Sequence, residues 1–427
     1  MKIQDLHHLF LACNAVCTDT RTLQKNDIFF ALSGENFNGN TFAEKAIESG
    51  AKYAVIDQAE YKTSEKTILV ENVLETLQAL ASFNRTYLNI PIIALTGSNG
   101  KTTTKELINA VLSTTYKTTA TTGNLNNHIG VPLTLLSMTK NTEIGIVEMG
   151  ANHLKEIDFL CQIAQPNYGY ITNFGKAHLE GFGSLEGVVL GKTELYRYLG
   201  QHNGMAFINV NDSKQVEQAK GLDQYTFGKE DTEANAKIDL KSADPLVVCT
   251  YNDLTIKSNL IGIYNFNNIS AAIAIGQYFK VKPKGIQKAI ELYNPKNNRS
   301  QIIQKENQQI ILDAYNANPT SMKAALESFS SLKATSKIAI IGDMFELGKE
   351  ADKEHQDISN LAIALNIDQI ITIGHHFAKS TINSEKLINF NTFEDFSSAI
   401  HNLHLKEATL LIKASRGMKL ERILDLL

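Results

Sequence analysis

The sequence predicts an α/β protein of three domains, each built around its own sheet. First, a chain of 427 residues is long enough for about three domains of ~150 residues. Second, short apolar segments typical of buried strands alternate with helical segments, which indicates parallel βαβ units. Third, this alternation gives way to a β-rich segment at 230–262 and restarts near residue 298. No internal repeat stands out, so we expect three unlike domains.

The pattern places the domain boundaries near residues 84 and 297. We predict a small α/β domain at 1–84 and a central domain at 85–297 whose mostly parallel sheet is of the P-loop ATPase type. A C-terminal Rossmann-like, doubly wound domain is predicted at 298–427. In the first domain, strand-like segments at 27–32 and 52–57 enclose a helical one. That helix, at 41–50, ends in a glycine suited to a C-cap, and a longer helix at 73–88 leads out of the domain.

The central and C-terminal domains show the same alternation of strands and helices. Central strands are predicted at 90–97, 143–150, 167–174 and 205–211, and the segment 230–262 is expected to form an antiparallel edge. Helices are expected at 266–279 and 283–295. C-terminal strands are expected at 309–317, 337–344, 368–374 and 408–415, with helices starting at Thr320 and around 351–365.

Composition excludes several classes of protein. Lys and Arg total 41 against 45 Asp and Glu, a net charge of −4, so the basic surface of a nucleic-acid-binding protein is missing. No apolar run approaches the ~20 residues that span a bilayer, and the first residues, MKIQDLHHLF, do not resemble a secretion signal. The four cysteines form neither a disulfide framework nor a CxxC pair. We therefore expect a soluble cytoplasmic protein that binds no nucleic acid and no membrane.

The strongest local signal is a phosphate-binding loop at 96–104, TGSNGKTTT, between an apolar strand and a helix. Gly97 and Gly100 allow a tight turn that brings backbone N–H groups to phosphate oxygens. Lys101 supplies a charge for the β- and γ-phosphates, and the Thr102 hydroxyl is the expected Mg²⁺ ligand. Leu95 stands where the longer GxxxxGK[ST] pattern has glycine, so this shorter GxxGKT form points away from motors and GTPases. The loop residues predicted to bind nucleotide are Gly97, Ser98, Asn99, Gly100, Lys101, Thr102 and Thr103.

Two further polar residues follow strands of the same predicted sheet, and a lysine lies beyond them in the chain. Glu148 ends the strand GIVEM, and His178 lies on the loop after the next strand, so both should face the crevice at the carboxyl edge of the sheet. An acid there can hold Mg²⁺. Lys192 follows in GKTELYRYL; its spacing alone favours a solvated helix lysine.

Together these segments resemble the Mur ligase family of ATP-dependent amide-forming enzymes over essentially the whole chain. The similar segments are TGSNGKTTTKE at 96–106, VEMGAN at 147–152, TNFGKAHLEGFGSLEGVVLGK at 172–192 and GIYNFNNISAAIA at 262–274. In the last segment Tyr264 stands where the family pattern usually has histidine. The resemblance implies that Asn265 and Asn268 bind adenine, that Arg299 reaches the γ-phosphate and that Asp313 contacts the ribose.

The resemblance also implies a mechanism with two Mg²⁺ ions. Lys101, Glu148, His178, Lys192 and Arg299 would be catalytic, through an acyl-phosphate intermediate. One Mg²⁺ would be held by Thr102 and Glu148 and the second by His178 and Lys192. By this resemblance, Lys192 matches a lysine that carries a CO₂-derived carbamate in the family.

Further segments resemble the members that add D-alanyl-D-alanine to UDP-N-acetylmuramoyl-tripeptide in peptidoglycan precursor synthesis. These are GNLNNHIGVPLTLL at 123–136, YNANPTSM at 315–322 and GDMFELG at 342–348. We expect a monomer. The predicted substrate-binding residues are Thr20, Arg21, Asn124, Asn126, Asn127, Tyr315, Asn316, Asn318, Lys413, Ser415 and Arg416. Alternatives are a sister ligase that adds diaminopimelate or lysine, a folylpolyglutamate synthase, or a P-loop ATPase or nucleotide-sensing module without ligation.

Overall fold

The computed structural model describes residues 1–296, 298–305 and 308–427. Residue 297, where the predicted central domain ends, lies outside these ranges. Each predicted domain contains one main sheet, of four, seven and six strands in chain order. The predicted three-domain α/β class is confirmed. Among the described residues, none of the helices has the length and apolar character that crossing a bilayer demands.

The first domain is a four-stranded parallel sheet in the order β1-β2-β5-β6, with a two-stranded hairpin of β3 and β4. The predicted strands at 27–32 and 52–57 are confirmed as β2 and β5, and Gly50 follows α2 with a φ of +105°. Its strands are β1 (Val16–Cys17), β2 (Ile28–Phe30), β3 (Ser33–Gly34), β4 (Phe37–Asn38), β5 (Tyr53–Ile56) and β6 (Thr67–Leu69). Its helices are α1 (Ile3–Leu11), α2 (Ala43–Glu48) and α3 (Val73–Leu88).

Helix α3 connects the first and central domains without a break. The Asn72 side chain caps its start by accepting a hydrogen bond from the Glu75 N–H, and Asn89 ends it in a left-handed conformation. The helix packs against α1 of the first domain and against the central-domain helices α5 and α6, whose bounds follow below. Arg85 fastens it further, because its buried guanidinium donates to the carbonyl of Ala164 and to the Asn167 side chain at 3.1 and 2.9 Å.

The central domain is a seven-stranded parallel sheet in the order β13-β12-β11-β10-β7-β9-β8. Its strands are β7 (Ile92–Thr96), β8 (Thr118–Ala120), β9 (Ile144–Glu148), β10 (Tyr168–Ile171), β11 (Met205–Asn209), β12 (Asp223–Gly228) and β13 (Ala236–Lys237). Its helices are α4 (Lys101–Leu112), α5 (Gly130–Leu136), α6 (Glu156–Ala164), α7 (Leu179–Phe182), α8 (Leu185–Lys192), α9 (Glu194–Gln201), α10 (Ser213–Gln218), α11 (Tyr264–Tyr278) and α12 (Pro283–Leu292). Because β7 lies between β10 and β9, the loops after these three strands meet at one edge of the sheet.

The segment at 230–262 differs from its prediction. The edge strand that it adds to the main sheet, β13, is parallel rather than antiparallel, and residues 239–261 fold into a separate three-stranded antiparallel sheet. Its strands are β14 (Asp239–Ala243), β15 (Leu246–Tyr251) and β16 (Leu254–Ile261). Val247, Cys249 and Ile256 are fully buried in the core that α4, α11 and α12 form on one face of the parallel sheet. Most of the segment thus covers helices, and only β13 extends the parallel sheet.

The third domain is a six-stranded sheet in the order β17-β18-β22-β19-β20-β21, antiparallel between β17 and β18 and parallel elsewhere. Its strands are β17 (Gln301–Lys305), β18 (Gln308–Leu312), β19 (Lys337–Gly342), β20 (Gln369–Ile373), β21 (Leu387–Phe390) and β22 (Thr409–Lys413). Its helices are α13 (Pro319–Ser330), α14 (Ala351–Ala364), α15 (His375–Ala378) and α16 (Phe393–Ala399). Apolar clusters cover both faces of the sheet, as a doubly wound domain requires.

Candidate active site

A cavity of about 590 Å³ lies between the central and third domains, at the edge where β7, β9 and β10 end. Most of the predicted site residues line it. From the central domain these are Ser98, Asn99, Gly100, Lys101, Thr102, Thr103, Asn124, Asn126, Asn127, Glu148, His178, Asn265 and Asn268. From the segment after residue 297 they are Arg299, Asp313, Tyr315, Asn316, Asn318 and Lys413.

The phosphate loop follows β7 and has two glycines with positive φ. Gly97 has a φ of +141°, and a Cβ there would lie 2.0 Å from Thr172 Oγ1. Gly100 has a φ of +79°, and a Cβ there would lie 2.6 Å from Asn268 Oδ1. The loop is held against the segment after β10, since the Ser98 hydroxyl donates to the Gly175 carbonyl at 2.8 Å. Only glycine fits at these two positions, and the N-terminus of α4 points at the cavity.

Lys101 folds back on the loop, where its Nζ donates to the Gly97 carbonyl at 2.6 Å. Burial lowers the pKa of Lys101, and the nearby charge of Arg299 lowers it further, while Glu148 opposes the change. A bound phosphate group would place a negative charge beside this amine and so favour its protonated form. The side chain is therefore positioned to exchange a backbone carbonyl for a phosphate oxygen.

Glu148 ends β9 with only 1% of its surface exposed. Its Oε1 accepts hydrogen bonds from Thr102 Oγ1 at 3.2 Å and from Asn126 Nδ2 at 2.8 Å. Its Oε2 is buried and has no hydrogen-bond partner among the described residues. An unpaired buried carboxylate oxygen is costly unless a cation or donor meets it. The site therefore fits a Mg²⁺ ion, which prefers carboxylate and hydroxyl oxygens and keeps some ligands from water and phosphate.

No group of three or more His, Cys, Asp or Glu side chains in the described parts of the chain is arranged to bind a metal by itself. One carboxylate and one hydroxyl are compatible with Mg²⁺, because substrate phosphates commonly complete its coordination.

Lys192 is fully buried at the end of α8 and does not line the cavity. Its Nζ donates to the Ala151 carbonyl at 3.0 Å and lies 5.0 Å from the centre of the Phe182 ring. Burial lowers the pKa of Lys192 well below its ordinary value, and Lys101 adds to this effect. The solvated helix lysine that spacing alone favours is thus wrong.

His178 has a φ of +53° and begins α7. Its Nδ1 lies 2.5 Å from Glu346 Oε2 of the third domain, in a close polar contact rather than an aligned hydrogen bond. This close contact with His178 lowers the pKa of the Glu346 carboxyl. The histidine therefore faces the cavity and also contacts the third domain.

The start of α11 forms one side of the cavity, with Tyr264, Asn265 and Asn268. The Asn268 amide donates to Asn265 Oδ1 at 2.8 Å, while Asn268 Oδ1 accepts from the Thr104 hydroxyl at 3.0 Å. The Asn265 amide donates to the Ile261 carbonyl at 2.8 Å. Asn268 therefore also fixes α11 against the helix that follows the phosphate loop, and Asn265 fixes the start of α11 to the end of β16. The Tyr264 hydroxyl lies 3.0 Å from Ser300 Oγ across the domain boundary.

Arg299 lies between two residues with positive φ, Asn298 at +57° and Ser300 at +46°. Its guanidinium stacks 3.6 Å from the centre of the Tyr315 ring, and its Nε is buried without a hydrogen-bond partner among the described residues. A guanidinium that lines a cavity and has a buried, unpaired N–H is suited to an anionic ligand.

Asp313 is already paired within the third domain. Lys413 Nζ donates to its Oδ2 at 2.5 Å, and the Ser300 N–H donates to its Oδ1 at 3.1 Å. Lys413 is 2% exposed and also donates to the Asn316 carbonyl. These bonds position the carboxylate toward the cavity and leave Lys413 little freedom to bind a substrate.

Several predicted substrate asparagines also have structural roles. Asn127 accepts hydrogen bonds from the N–H groups of Ile129 and Gly130 at the start of α5. Asn318 caps α13 and donates to Asn99 Oδ1 at 2.7 Å, which joins the third domain to the phosphate loop. Their positions in the cavity wall remain compatible with ligand binding.

Other predicted residues lie outside the cavity. They are Thr20, Arg21, Gly97, Lys192, Ser415 and Arg416. Arg21 is exposed in the first domain and paired with Asp19 at 2.6 Å. Ser415 is buried, where its hydroxyl accepts from the Phe345 N–H at 2.8 Å. Arg416 is exposed, with its guanidinium 5.1 Å from the Tyr315 ring centre.

Three residues of the site were missed from sequence. Asn173 accepts from the Asn99 N–H at 3.1 Å, Thr320 accepts from the Lys176 N–H at 2.9 Å, and Glu346 meets His178. All three lie in or beside segments that carry the family resemblance, but only the three-dimensional arrangement shows their partners.

Three family models match successive parts of the chain. The model for the Mur ligase middle domain matches residues 95–276, that for the Mur ligase glutamate ligase domain matches 298–416, and that for the Mur ligase family catalytic domain matches 13–85. A Bacillus subtilis relative named UDP-N-acetylmuramoyl-tripeptide–D-alanyl-D-alanine ligase is 35% identical, over 96% of this chain and 92% of its own length.

Solved structures show the same similarity. The crystal structure of MurF from Acinetobacter baumannii has a TM-score of 0.87 and 30% identity, covering 100% of this chain and 98% of its own. MurF ligase from Thermotoga maritima, solved in complex with ADP, has a TM-score of 0.83 and 25% identity, covering 98% of this chain and 97% of its own. With matches over nearly its full length, the chain belongs to the Mur ligase family of ATP-dependent ligases, as the sequence predicts.

Proposed function

We propose that this enzyme uses ATP to join D-alanyl-D-alanine to the terminal carboxylate of UDP-N-acetylmuramoyl-tripeptide, a step of peptidoglycan precursor synthesis. The observation that carries the proposal is the shared cavity, where a phosphate loop and a buried, half-unpaired Glu148 face Arg299. Relatives that bear this activity in their names match the chain from end to end. The full-length match disfavours an isolated ATPase or nucleotide-sensing module.

The chemical difficulty is that a carboxylate repels an amine and has no good leaving group. In the proposed reaction a tripeptide carboxylate oxygen attacks the γ-phosphorus of ATP, the bond to the bridging oxygen breaks, and ADP leaves. The amine of D-alanyl-D-alanine then attacks the acyl phosphate carbon. The tetrahedral intermediate loses inorganic phosphate and a proton, and the amide remains.

The chain's own residues stabilise the charge that moves in these steps. Lys101 and Arg299 face the cavity from opposite domains, so their charges can meet the transferred phosphoryl group from two sides. The backbone N–H groups at the start of α4 bind phosphate oxygens. Docking of the third domain excludes water from the acyl phosphate, which would otherwise hydrolyse.

Mg²⁺ fits beside Glu148, and Thr102 and Glu148 would hold it. When bound, the ion neutralises phosphate charge and orients the β- and γ-phosphates. Glu148 keeps its orientation through the hydrogen bonds from Thr102 and Asn126. We also propose that His178 and Lys192 would hold a second Mg²⁺ ion.

Burial supports the proposed carbamate on Lys192. Only the neutral amine adds CO₂, and burial favours the neutral form of Lys192. The product is an anion, which suits a metal-rich site and the neighbouring charge of Lys101.

Substrates are assigned by domain. We place the uridine diphosphate group on the first domain near Thr20 and Arg21, because the exposed Arg21 guanidinium can exchange Asp19 for pyrophosphate oxygens. Asn124, Asn126 and Asn127 would contact the sugar and peptide.

On the acceptor side, Tyr315, Asn316 and Asn318 line the cavity, and the exposed Arg416 is available to a carboxylate. Lys413 and Ser415 would act by fixing Asp313 and the Phe345 loop. We propose a cytoplasmic monomer.

The decisive experiment incubates the protein with ATP, Mg²⁺, UDP-N-acetylmuramoyl-tripeptide and a panel of amino acids and dipeptides. Phosphate release and a new amide product should appear only with D-alanyl-D-alanine. A parallel incubation replaces the tripeptide substrate by UDP-N-acetylmuramoyl-dipeptide. Product formation there with diaminopimelate or lysine would assign a sister ligase instead. ATP hydrolysis that does not depend on the UDP-linked peptide would contradict ligation.

A further inference from the structure

The loop after β10 connects the two domains that enclose the cavity. The Lys176 N–H donates to Thr320 Oγ1 at 2.9 Å, and Lys176 Nζ donates to Glu354 Oε1 at 2.5 Å. Thr320 lies in α13 and Glu354 in α14, so one central-domain residue binds two helices of the third domain. Ala177 and His178, which follow Lys176, line the cavity. The contact therefore lies directly behind the wall of the active site.

Glu354 is a buried partner in this contact. Its side chain is 6% exposed, against 45% for Lys176. A carboxylate removed from water is unfavourable without an opposite charge. Within the described ranges, Lys176 is the only cation paired with Glu354. The pair can form only while the two domains are docked.

Another ion pair between the same domains provides a contrast. Lys333 and Asp244 are 3.7 Å apart, but their side chains are 90% and 40% exposed. Exposed pairs of this kind contribute little, because water and salt screen both charges. The burial of Glu354 thus distinguishes the Lys176 contact from an incidental surface pair.

We propose that the Lys176–Glu354 ion pair is a closure latch that holds the third domain where Arg299 and Asp313 complete the ATP cavity. Lys176 and Glu354 are positioning residues in this proposal, since neither lines the cavity. The proposal rests on the proposed function in that the latch serves nucleotide binding between these domains. Its loss lowers the population of the closed form, so the apparent affinity for nucleotide falls in proportion.

The test measures ADP binding by calorimetry in the full-length protein. Variants are Lys176→Met, Glu354→Gln and their combination, with Lys333→Met as the matched control at the exposed pair. Each single latch variant should raise the dissociation constant about tenfold, which corresponds to about 1.4 kcal/mol. The double variant should add less than about twofold, because the second change removes a pair already broken. Lys333→Met should bind ADP as wild type does.

Two further measurements separate a latch from a general structural effect. In steady-state assays the KM for ATP should rise in the three latch variants, while their kcat at saturating ATP changes by less than about threefold. Small-angle X-ray scattering with ADP should give a larger radius of gyration for the latch variants than for wild type and Lys333→Met.

Opposite results would overturn the latch. Wild-type ADP affinity in Lys176→Met refutes it, even if Glu354→Gln fails to fold, because Lys176 is half exposed and its removal leaves the core intact. Additive losses in the double variant, about a hundredfold, refute it as well. ADP binding does not involve D-alanyl-D-alanine, so failure of the latch and failure of the proposed acceptor specificity are distinguishable.

Discussion

A single methyl group at Gly100 should disrupt the phosphate loop. Gly100 has a φ of +79°, and a Cβ would lie 2.6 Å from Asn268 Oδ1. Asn268 cannot turn aside without losing the hydrogen bonds to Thr104 and Asn265, at 3.0 and 2.8 Å. In Gly100→Ala, either these bonds break or the loop moves away from α11.

The size of the effect follows from these contacts. Alanine at positive φ costs about 1 kcal/mol, and two lost buried hydrogen bonds cost about 1 kcal/mol each. Gly221 provides a matched control, because its φ is +81° and a Cβ there would meet nothing within 4 Å. We therefore expect the free energy of unfolding to fall by about 3 kcal/mol in Gly100→Ala and by about 1 kcal/mol in Gly221→Ala.

The assays are urea unfolding and ADP calorimetry on both variants. If the loop moves, part of the cost appears as weaker nucleotide binding, so ADP affinity should fall about tenfold or more in Gly100→Ala only. Equal stability and equal ADP affinity in the two variants would refute the claim that Asn268 closes the space beside Gly100.

Three other predictions concern the metal side of the cavity. Glu148→Gln keeps an oxygen that can accept from Thr102 and Asn126 but lacks the negative charge. Phosphate release should therefore fall about 100-fold at any Mg²⁺ concentration, while the melting temperature stays close to that of wild type. A normal rate of phosphate release would exclude Glu148 from the metal site. Lys192→Ala should abolish ligation, and short-chain carboxylates such as acetate should partly restore it; full activity without them would exclude a role for Lys192. Because burial lowers the pKa of Lys192, the unfolded chain binds its proton more tightly, so the free energy of unfolding should rise with pH up to the ordinary value of 10.5. In bicarbonate-free buffer Lys192→Met should show a flatter rise, and identical slopes would contradict a neutral buried amine.

The parts of the fold that the sequence predicts best are buried strands. β7, β9 and β19 are buried along their whole length, so their apolar runs are visible without a structure. β17 and β21 were missed because they are half-exposed edge strands without such a run. The apolar residues of β15 predict a strand, and every second residue of that strand is buried in the structure. The sequence pattern does not indicate which sheet the strand joins.

The candidate site divides in a similar way. Glu148 was predictable because a strand-end acid in a parallel sheet must lie at the carboxyl edge. Contacts between domains were not, since Lys176 and Glu354 are 178 residues apart and meet only through the orientation of two folded surfaces. Residue type alone also left Asn127 ambiguous, because a cavity asparagine and a helix cap look the same in sequence.

The continuity of α3 has a mechanical consequence. Leu77 and Leu80 of this helix are fully buried in a single apolar cluster that extends from Leu6 of the first domain to Ala219 of the central domain. Pulling the first two domains apart would expose such side chains at about 1.5–3 kcal/mol each. We therefore expect them to travel as one rigid piece, and we expect any motion of the third domain to be taken up near Asn298 and Ser300, where φ is positive. Because Arg299 and Ser300 line the cavity, a compound wedged there would hold the third domain in place and would also compete with ATP.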